Sequence, residues 1–375
     1  MIIQSKKVWI ADQFTPAQLE LEDGIIKEIY PYNEKDYGDL RILPGFIDIH
    51  CHGAYGFDTN DANPEGLRKW AKGIVDEGVT SFLATTLTQS EEVLTNAVSN
   101  VAKVVEEGYE GAEILGIHFE GPYLNKAHKG AQPEEYCVKP NIEQFKRYQK
   151  AAHGLIKYIT MAVENDEDYA LTKYCSQNNV VVSIGHSNAT YEQAVQAYAH
   201  GARSMTHVYN AMTPFTHRAN GLVGGALRIR NMYGEIICDG NHSTLAALNN
   251  FFTSKGPDYS IMITDSLMCK GFPVGTKFDF GGQEVVIYPD GSAHLVEAGN
   301  LAGSTLNVNK GLKILIEDAL VPVNYAINAC TSNPARCLHV DDRKGTIGVG
   351  YDADLVVLDR DYEVVQTYCK GVGQK

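Results

Sequence analysis

Apolar runs alternate with helix-like segments along most of the chain, from about residue 45 to 340. The runs have the length of buried strands: RILPGFIDIH, VTSFLATT, EILGIHF, YITMAV, VVVSIG, RSMTHV, GEIICDG and SIMITD. Segments with helical spacing of apolar residues lie between most of them, such as PEGLRKWAKGIVDEG, SEEVLTNAVSNVAKVVEEG and TYEQAVQAYAHGA. Eight strand–helix units of this kind predict an α/β fold, a (β/α)8 barrel of the TIM type over residues 45–340.

A doubly wound open sheet is the competing architecture, because it shows the same alternation of strands and helices. Such sheets often carry a phosphate-binding glycine fingerprint after their first strand. No such fingerprint follows PGFIDIHCHG here. The closed barrel is therefore favoured, and its functional residues are expected at the carboxyl ends of the strands.

The two ends of the chain have a different pattern from the middle. Residues 1–44 and 341–375 contain short alternating strands, such as KKVWIA and AQLELEDGIIKEIY, without helical periodicity. We predict that both ends pack together as one small β-sandwich domain. A further β-rich stretch, at about 276–298, is predicted to be a hairpin inserted into the barrel, with PDG at its turn.

Composition excludes several classes of partner. The 375 residues carry a formal net charge of −14, which argues against a nucleic-acid partner. No apolar run reaches the length of a membrane span, and the N-terminus lacks a signal-peptide pattern. The eight cysteines are scattered without a C-x-x-C pair, which is typical of reduced thiols. We therefore expect a cytoplasmic protein with no membrane partner.

Metal-ligating side chains follow five of the eight predicted strands. A strand has a side-chain period of two, so the two histidines of HCH point the same way. The candidates at strand ends are His50, His52, Glu120, His186, His207 and Asp265. In a barrel these ends meet at one mouth, so we predict a metal site there.

Imidazoles with carboxylates are the ligands that zinc and iron(II) prefer over calcium or magnesium. Asp265 either takes the proton from an attacking water or is a further metal ligand. The sequence pattern is compatible with both roles of this carboxylate.

The motifs also identify a family. LPGFIDIHCHG, HFEGPYLN, GHSNAT, THVYNAM, DGNH, ITD, LAGST and NPAR occur in this order over nearly the whole chain. With them the chain resembles the amidohydrolase superfamily, and within it the N-acetylglucosamine-6-phosphate deacetylase family. EGP together with TH.YNAM is the specific part of the resemblance. Many other members of the superfamily carry a carboxylated lysine on the fourth strand, and YITMAVEN has none.

The resemblance implies how the cations are bound. Glu120, His186 and His207 would hold the principal divalent metal, and Asp265 would be the general base and later the general acid. The two histidines of HCH imply a second site in which Glu120 bridges. We therefore expect one or two cations per subunit, zinc before iron(II) or another first-row metal.

The resemblance also implies the substrate contacts. Asn210 and Ala211 would contact a sugar phosphate, and Arg218 and His242 its phosphate group. In the family the arginine reaches in from a neighbouring subunit, which implies a homodimer. Gln132 stands where many members have a histidine that orients the acetyl carbonyl. A glutamine amide donates a hydrogen bond but carries no charge.

The predicted reaction is hydrolysis of N-acetylglucosamine 6-phosphate to glucosamine 6-phosphate and acetate, in amino-sugar catabolism and cell-wall recycling. A related enzyme that acts on the galacto epimer, N-acetylgalactosamine 6-phosphate, would share every metal ligand. A cyclic-amide hydrolase or nucleobase deaminase would keep the barrel, but Arg218 and His242 argue against it, since those substrates need no phosphate clamp. A non-enzymatic sugar-phosphate-binding barrel would leave the metal ligands without a purpose.

Overall fold

The computed structural model describes residues 1–34 and 36–374. Its first strands are β1 (Ile2–Ile10), β2 (Gln13–Glu22), β3 (Ile25–Pro31) and β4 (Arg41–Pro44). The first three form an antiparallel meander, and β4 runs parallel to β1. In β2, Ala17, Leu19 and Leu21 are buried and alternate with more exposed neighbours. This period of two gives the sheet one apolar face.

The central strands form the predicted parallel barrel. Its strands are β5 (Phe46–Cys51), β8 (Val79–Thr86), β9 (Glu113–Glu120), β10 (Ile156–Met161), β11 (Val181–Ile184), β12 (Ala202–Met205), β13 (Tyr233–Ile237) and β14 (Ser260–Ile263); a short hairpin, β6 (Gly53–Ala54) and β7 (Phe57–Asp58), follows β5. Each barrel strand pairs with the next in chain order.

The barrel closes where its last strand meets its first. The backbone N–H of Asp265, just beyond β14, donates to the carbonyl of His50 at 2.8 Å. The backbone N–H of His52 in turn donates to the carbonyl of Ser266 at 2.8 Å. These bonds distinguish a closed barrel from an open doubly wound sheet, so the predicted fold class is confirmed.

Helices connect the strands on the outside of the barrel. They are α1 (Pro64–Gly73), α2 (Glu91–Glu107), α3 (Ile142–Ala151), α4 (Ala170–Gln177), α5 (Tyr191–Ala199), α6 (Gly221–Arg228), α7 (Leu245–Lys255), α8 (Val308–Lys313), α9 (Val323–Cys330) and α10 (Ser332–Cys337). Local caps define several of their starts. The Ser90 side chain accepts from the backbone of Val93 at the start of α2, and Thr190 and Gln193 form a capping box on α5. None of the helices within the described residues is long and apolar enough to cross a membrane.

The stretch predicted as an inserted hairpin is a three-stranded antiparallel sheet. It consists of β15 (Lys277–Phe280), β16 (Gln283–Ile287) and β17 (Ala293–Leu295). The predicted PDG turn joins the last two strands. The additional strand, β15, pairs with β16 along its whole length. Phe280 at its end approaches the barrel mouth, with its ring centroid 5.7 Å from that of His52.

The C-terminal strands are β18 (Leu355–Leu358), β19 (Val364–Cys369) and β20 (Val372–Gly373). They join the N-terminal strands in one seven-stranded sheet, because β4 pairs with both β1 and β18. The assignment of 1–44 and 341–375 to a separate domain, with 45–340 as the catalytic barrel, stays a prediction.

Candidate metal and substrate site

The barrel brings the six predicted metal-site residues to one mouth. His50 and His52 are on and just beyond β5, and Glu120 is the last residue of β9. Parallel pairing of Ile184 with Met205 aligns β11 with β12. The histidines two residues beyond that pair, His186 and His207, therefore lie level with each other.

Three of these residues have an unusual backbone. His186, His207 and Asp265 have φ values of +45°, +29° and +50°. Left-handed conformations cost residues with a side chain on the order of 1–3 kcal/mol each. All three lie two residues beyond the end of a strand, where such a turn redirects the side chain. We infer that the fold holds this strain to aim the three groups into the barrel mouth.

The first group consists of Glu120, His186 and His207. The two imidazole Nε2 atoms are 3.1 Å apart and lie 3.4 and 3.3 Å from Oε1 of Glu120. The Nδ1–H of His186 donates to the carbonyl of His128 at 2.8 Å. The Nδ1–H of His207 donates to the carbonyl of Asn210 at 3.2 Å. Because carbonyls only accept, Nδ1 carries the hydrogen in each neutral ring, and each Nε2 then has a lone pair directed at the other.

This first group fits a cation. Two lone pairs and a carboxylate oxygen repel one another at these distances unless positive charge lies among them. A tetrahedral shell with zinc-like bonds of about 2.0–2.1 Å has edges of about 3.3 Å. The observed separations of 3.1–3.4 Å match those edges. All three side chains are buried, as a cation site shielded from bulk water requires.

The second group shares Glu120 with the first. The Nε2 atoms of His50 and His52 lie 3.5 and 3.3 Å from Oδ1 of Asp265. Oε1 of Glu120 lies 3.5 Å from His50, and Oε2 lies 3.2 Å from His52. Oε1 of Glu120 and Nε2 of His50 are buried without a hydrogen-bond partner among the described residues. Such orphaned groups are costly, and a second cation would satisfy both.

The electrostatics of the cluster favour positive charge. Burial lowers the pKa of His50, but the negative charges of Glu120 and Asp265 outweigh the effect of burial and raise this pKa to about 9. Burial likewise opposes protonation of His52, and hydrogen bonds to the same two carboxylates raise its pKa to about 10. Conversely, burial raises the pKa of Asp265, but the imidazoles beside it lower it to about 2. The carboxylates are therefore ionised and hold protons or cations close by.

A cavity of about 360 Å³ opens above the metal-site residues. Its volume is in the range of small-ligand sites. Asp265 lines it and is therefore accessible to a substrate. The predicted substrate residues Gln132, Asn210, Ala211 and His242 line it as well. Arg218 lies on an exposed loop and is not among the described residues that line this cavity within one chain.

Gln132 supports Glu120, a predicted metal ligand. Its amide Nε2 donates to Oε2 of Glu120 at 2.6 Å, and its Oε1 accepts from the backbone N–H of Thr88 at 2.8 Å. The side chain is buried and held at both ends. The amide nitrogen carries a second hydrogen and Gln132 lines the cavity, so its contact with the substrate carbonyl stays a prediction.

His242 is held by a carboxylate. Its Nδ1 donates to Oδ2 of Asp239 at 2.7 Å, while Oδ1 of Asp239 accepts from the backbone of Asn241 and of His242. Burial lowers the pKa of His242, but the hydrogen bond to Asp239 outweighs it, so the pKa is raised. This makes His242 a candidate cation for a phosphate group.

Sequence reasoning missed three supporting groups: Glu235, Asp239 and the carbonyl of His128. The carboxylate of Glu235 lies 2.8 Å from Nδ1 of His50 inside the barrel. Its only sequence signal is an acidic residue within the run GEIICDG, whose other acidic residue is Asp239. The carbonyl of His128 has no sequence signal, because any residue supplies one.

Known proteins share this architecture. Residues 41–372 match the amidohydrolase family. An N-acetylglucosamine-6-phosphate deacetylase of Bacillus subtilis is 41% identical, over 92% of this chain and 87% of its own length. An N-acetylgalactosamine-6-phosphate deacetylase of Escherichia coli O157:H7 is 33% identical, over 97% of this chain and 95% of its own length. The structure of N-acetyl-D-glucosamine-6-phosphate deacetylase from Mycobacterium smegmatis with N-acetyl-D-glucosamine-6-phosphate superposes with a TM-score of 0.94 at 26% identity, covering 100% and 99% of the two chains.

Proposed function

Because the chain belongs to the amidohydrolase family, we propose that it hydrolyses N-acetyl-D-glucosamine 6-phosphate to D-glucosamine 6-phosphate and acetate. The observation that carries this proposal is that two groups of candidate cation ligands meet at Glu120, beneath a cavity that His242 also lines. A hydrolytic centre and a cationic side chain in one cavity suit an amide substrate that carries a phosphate.

We propose that a divalent first-row cation, zinc before iron(II), is held by Glu120, His186 and His207. The imidazoles of His50 and His52 would hold a second cation, with Glu120 between the two sites. Such a cation lowers the pKa of a water molecule and polarises the amide carbonyl. The donors fit because their Nε2 lone pairs and carboxylate oxygens converge in a buried space.

Asp265 is the proposed proton carrier. Its lowered pKa keeps it ionised, so it can accept a proton from the attacking water. It would then donate that proton to the amide nitrogen as the C–N bond breaks, which releases the amine and acetate. The carboxylate lines the cavity and therefore reaches the substrate.

The remaining side chains position the substrate. His242, as an imidazolium backed by Asp239, would bind the phosphate. Asn210 and Ala211 would contact the sugar from the loop that also holds His207. Arg218 would complete the phosphate site of a neighbouring subunit, so we propose a homodimer. The eight cysteines are unpaired, which supports the proposed cytoplasmic location.

The galacto epimer is the second candidate substrate. The relative from Escherichia coli O157:H7 carries that name and matches almost the full length of both chains. In the proposed reaction the cations would act on the acetamide, which both sugars carry. The two epimers differ only at a ring hydroxyl, on which that chemistry would not depend.

Acetate release from the two N-acetylhexosamine 6-phosphates, measured side by side with cation-replete enzyme, tests the proposal. We expect a higher kcat/KM for the gluco epimer. A preference for the galacto epimer would keep the mechanism and change the substrate. Absence of acetate from both, with cations bound, would overturn the proposed phosphate site.

A further inference from the structure

Glu235 is a buried carboxylate that the proposed reaction does not use. It lies on β13 inside the barrel, is fully inaccessible to solvent and is not among the residues that line the cavity. An ionised carboxylate in such a place is costly unless a partner compensates for its lost hydration. Its Oε2 lies 2.8 Å from Nδ1 of His50, whose side chain is also fully buried.

This contact decides which nitrogen of His50 can bind a cation. A carboxylate accepts, so Nδ1 of His50 carries the hydrogen. In the neutral ring, which is the form that binds a metal, Nε2 then carries the lone pair. It points to the second group, 3.5 Å from Oε1 of Glu120 and 3.5 Å from Oδ1 of Asp265. With the opposite tautomer, an N–H would occupy the position that a cation needs.

A neighbouring histidine shows that this is not a separate cation site. His118 stacks edge-on against His50, with ring centroids 4.4 Å apart. Both of its nitrogens are already bonded, Nδ1 to the carbonyl of Ile49 at 2.9 Å and Nε2 to the hydroxyl of Thr160 at 2.7 Å. His118 therefore offers no free lone pair to a cation beside Glu235.

We propose that Glu235 is a positioning residue that creates the second cation site. It fixes the tautomer and ring orientation of His50, and its charge makes Nε2 a stronger ligand. The inference rests on the proposed function, because it concerns the second cation of that site. His186 and His207 are held by main-chain carbonyls instead. Loss of Glu235 should therefore weaken the second cation and spare the first.

Two variants test separately the hydrogen-bond acceptor and the negative charge that Glu235 provides. Glu235→Gln keeps a carbonyl that can accept from Nδ1 but removes the charge. Glu235→Leu removes both at similar volume, and it leaves no buried charge behind. The measurement is the number of Zn²⁺ ions per chain by elemental analysis, together with the dissociation constant of each ion by equilibrium dialysis.

We expect two ions on the wild type, and an increase of about 10–100-fold in the dissociation constant of the second ion in Glu235→Gln. Glu235→Leu should show a larger increase, with the first ion unchanged in both. Ser183→Ala is the matched control. It removes another buried hydrogen-bonding group of the barrel interior, 2.6 Å from the hydroxyl of Thr206, and should keep both ions.

The other outcomes are distinguishable. Unchanged binding of the second ion in both variants would overturn the inference. Loss of both ions would overturn it as well, because Glu235 would then support the whole barrel. A wild type with only one ion would remove the second site while leaving the hydrolytic proposal intact. Two ions without acetate release from either epimer would refute the proposed function and leave the inference standing.

Discussion

Four histidines of the candidate site have two kinds of support. His186 and His207 donate to main-chain carbonyls, whereas His50 and His242 donate to the carboxylates of Glu235 and Asp239. A carbonyl fixes the orientation of a ring without adding charge. A carboxylate also favours positive charge on or beside the ring. The same residue type is therefore a candidate neutral metal ligand in one place and a candidate phosphate-binding cation in another.

The two histidine pairs also differ in how the backbone places them. His50 and His52 share a strand face, because the side-chain period of a strand is two. His186 and His207 lie beyond the ends of two strands in left-handed conformations, and their carbonyl partners belong to loops. The strand pair therefore depends on the barrel interior, whereas the loop pair depends on loop conformation.

The largest expected effect comes from removing one member of each pair. His207→Asn should lose the first cation and all measurable turnover, because one of its three ligands and the opposing lone pair are lost. His50→Asn should keep the first cation and part of the activity. Ions per chain and kcat, measured on both variants, check this. Equal loss in both would show that the two groups form one inseparable site.

Asp265→Asn should reduce kcat by about 10²–10⁴-fold, the usual contribution of a general base and acid. Its Oδ1 faces His50 and His52, so the first cation should stay bound. The measurement is kcat together with the ion content of the same sample. A variant that retains substantial turnover would remove Asp265 from the proton-transfer role. One that turns over well only after added Zn²⁺ would identify it as a ligand.

Asp239→Asn should raise KM roughly tenfold near neutral pH, corresponding to about 1.4 kcal/mol of lost binding. Asp239 raises the pKa of His242, so the imidazolium is present below that raised pKa and is lost as the pH increases through it. KM of the wild type should therefore increase with pH, and in the variant the increase should begin at lower pH. The KM for unphosphorylated N-acetylglucosamine is the control and should not change. An equal effect on both substrates would contradict the phosphate role.

The smallest effect tests the loop that supports His186. Gly130 has φ +58°, and a Cβ there would lie 3.3 Å from Cε1 of His186. At Gly38, with φ +56°, no atom of the other described residues beyond its two chain neighbours lies within 4 Å of the Cβ position. Both glycine-to-alanine variants should lose about 1–2 kcal/mol of unfolding free energy, measured with denaturant. Gly130→Ala alone should also weaken the first cation. Identical cation affinities would show that the loop adapts.

Part of this architecture could be predicted from the sequence. The alternation of apolar strands and amphipathic helices is local, and the strand ends of a barrel must meet at one mouth. The six metal-site candidates were therefore predicted without knowing any distance between them. VTSFLATT coincides with β8, and the predicted helix SEEVLTNAVSNVAKVVEEG with α2 and its cap.

Only the tertiary structure decided how these residues are held. The carbonyl of His128 reaches His186 from 58 positions away, and Glu235 lies 185 positions from His50. The hydrogen bond from the amide of Gln132 to Glu120 likewise has no signal in the sequence. Hydrophobic periodicity reports which face of an element is buried, but not which polar atoms meet inside. That pairing depends on the register of distant strands and on left-handed turns, which set the tautomers and charges of the site.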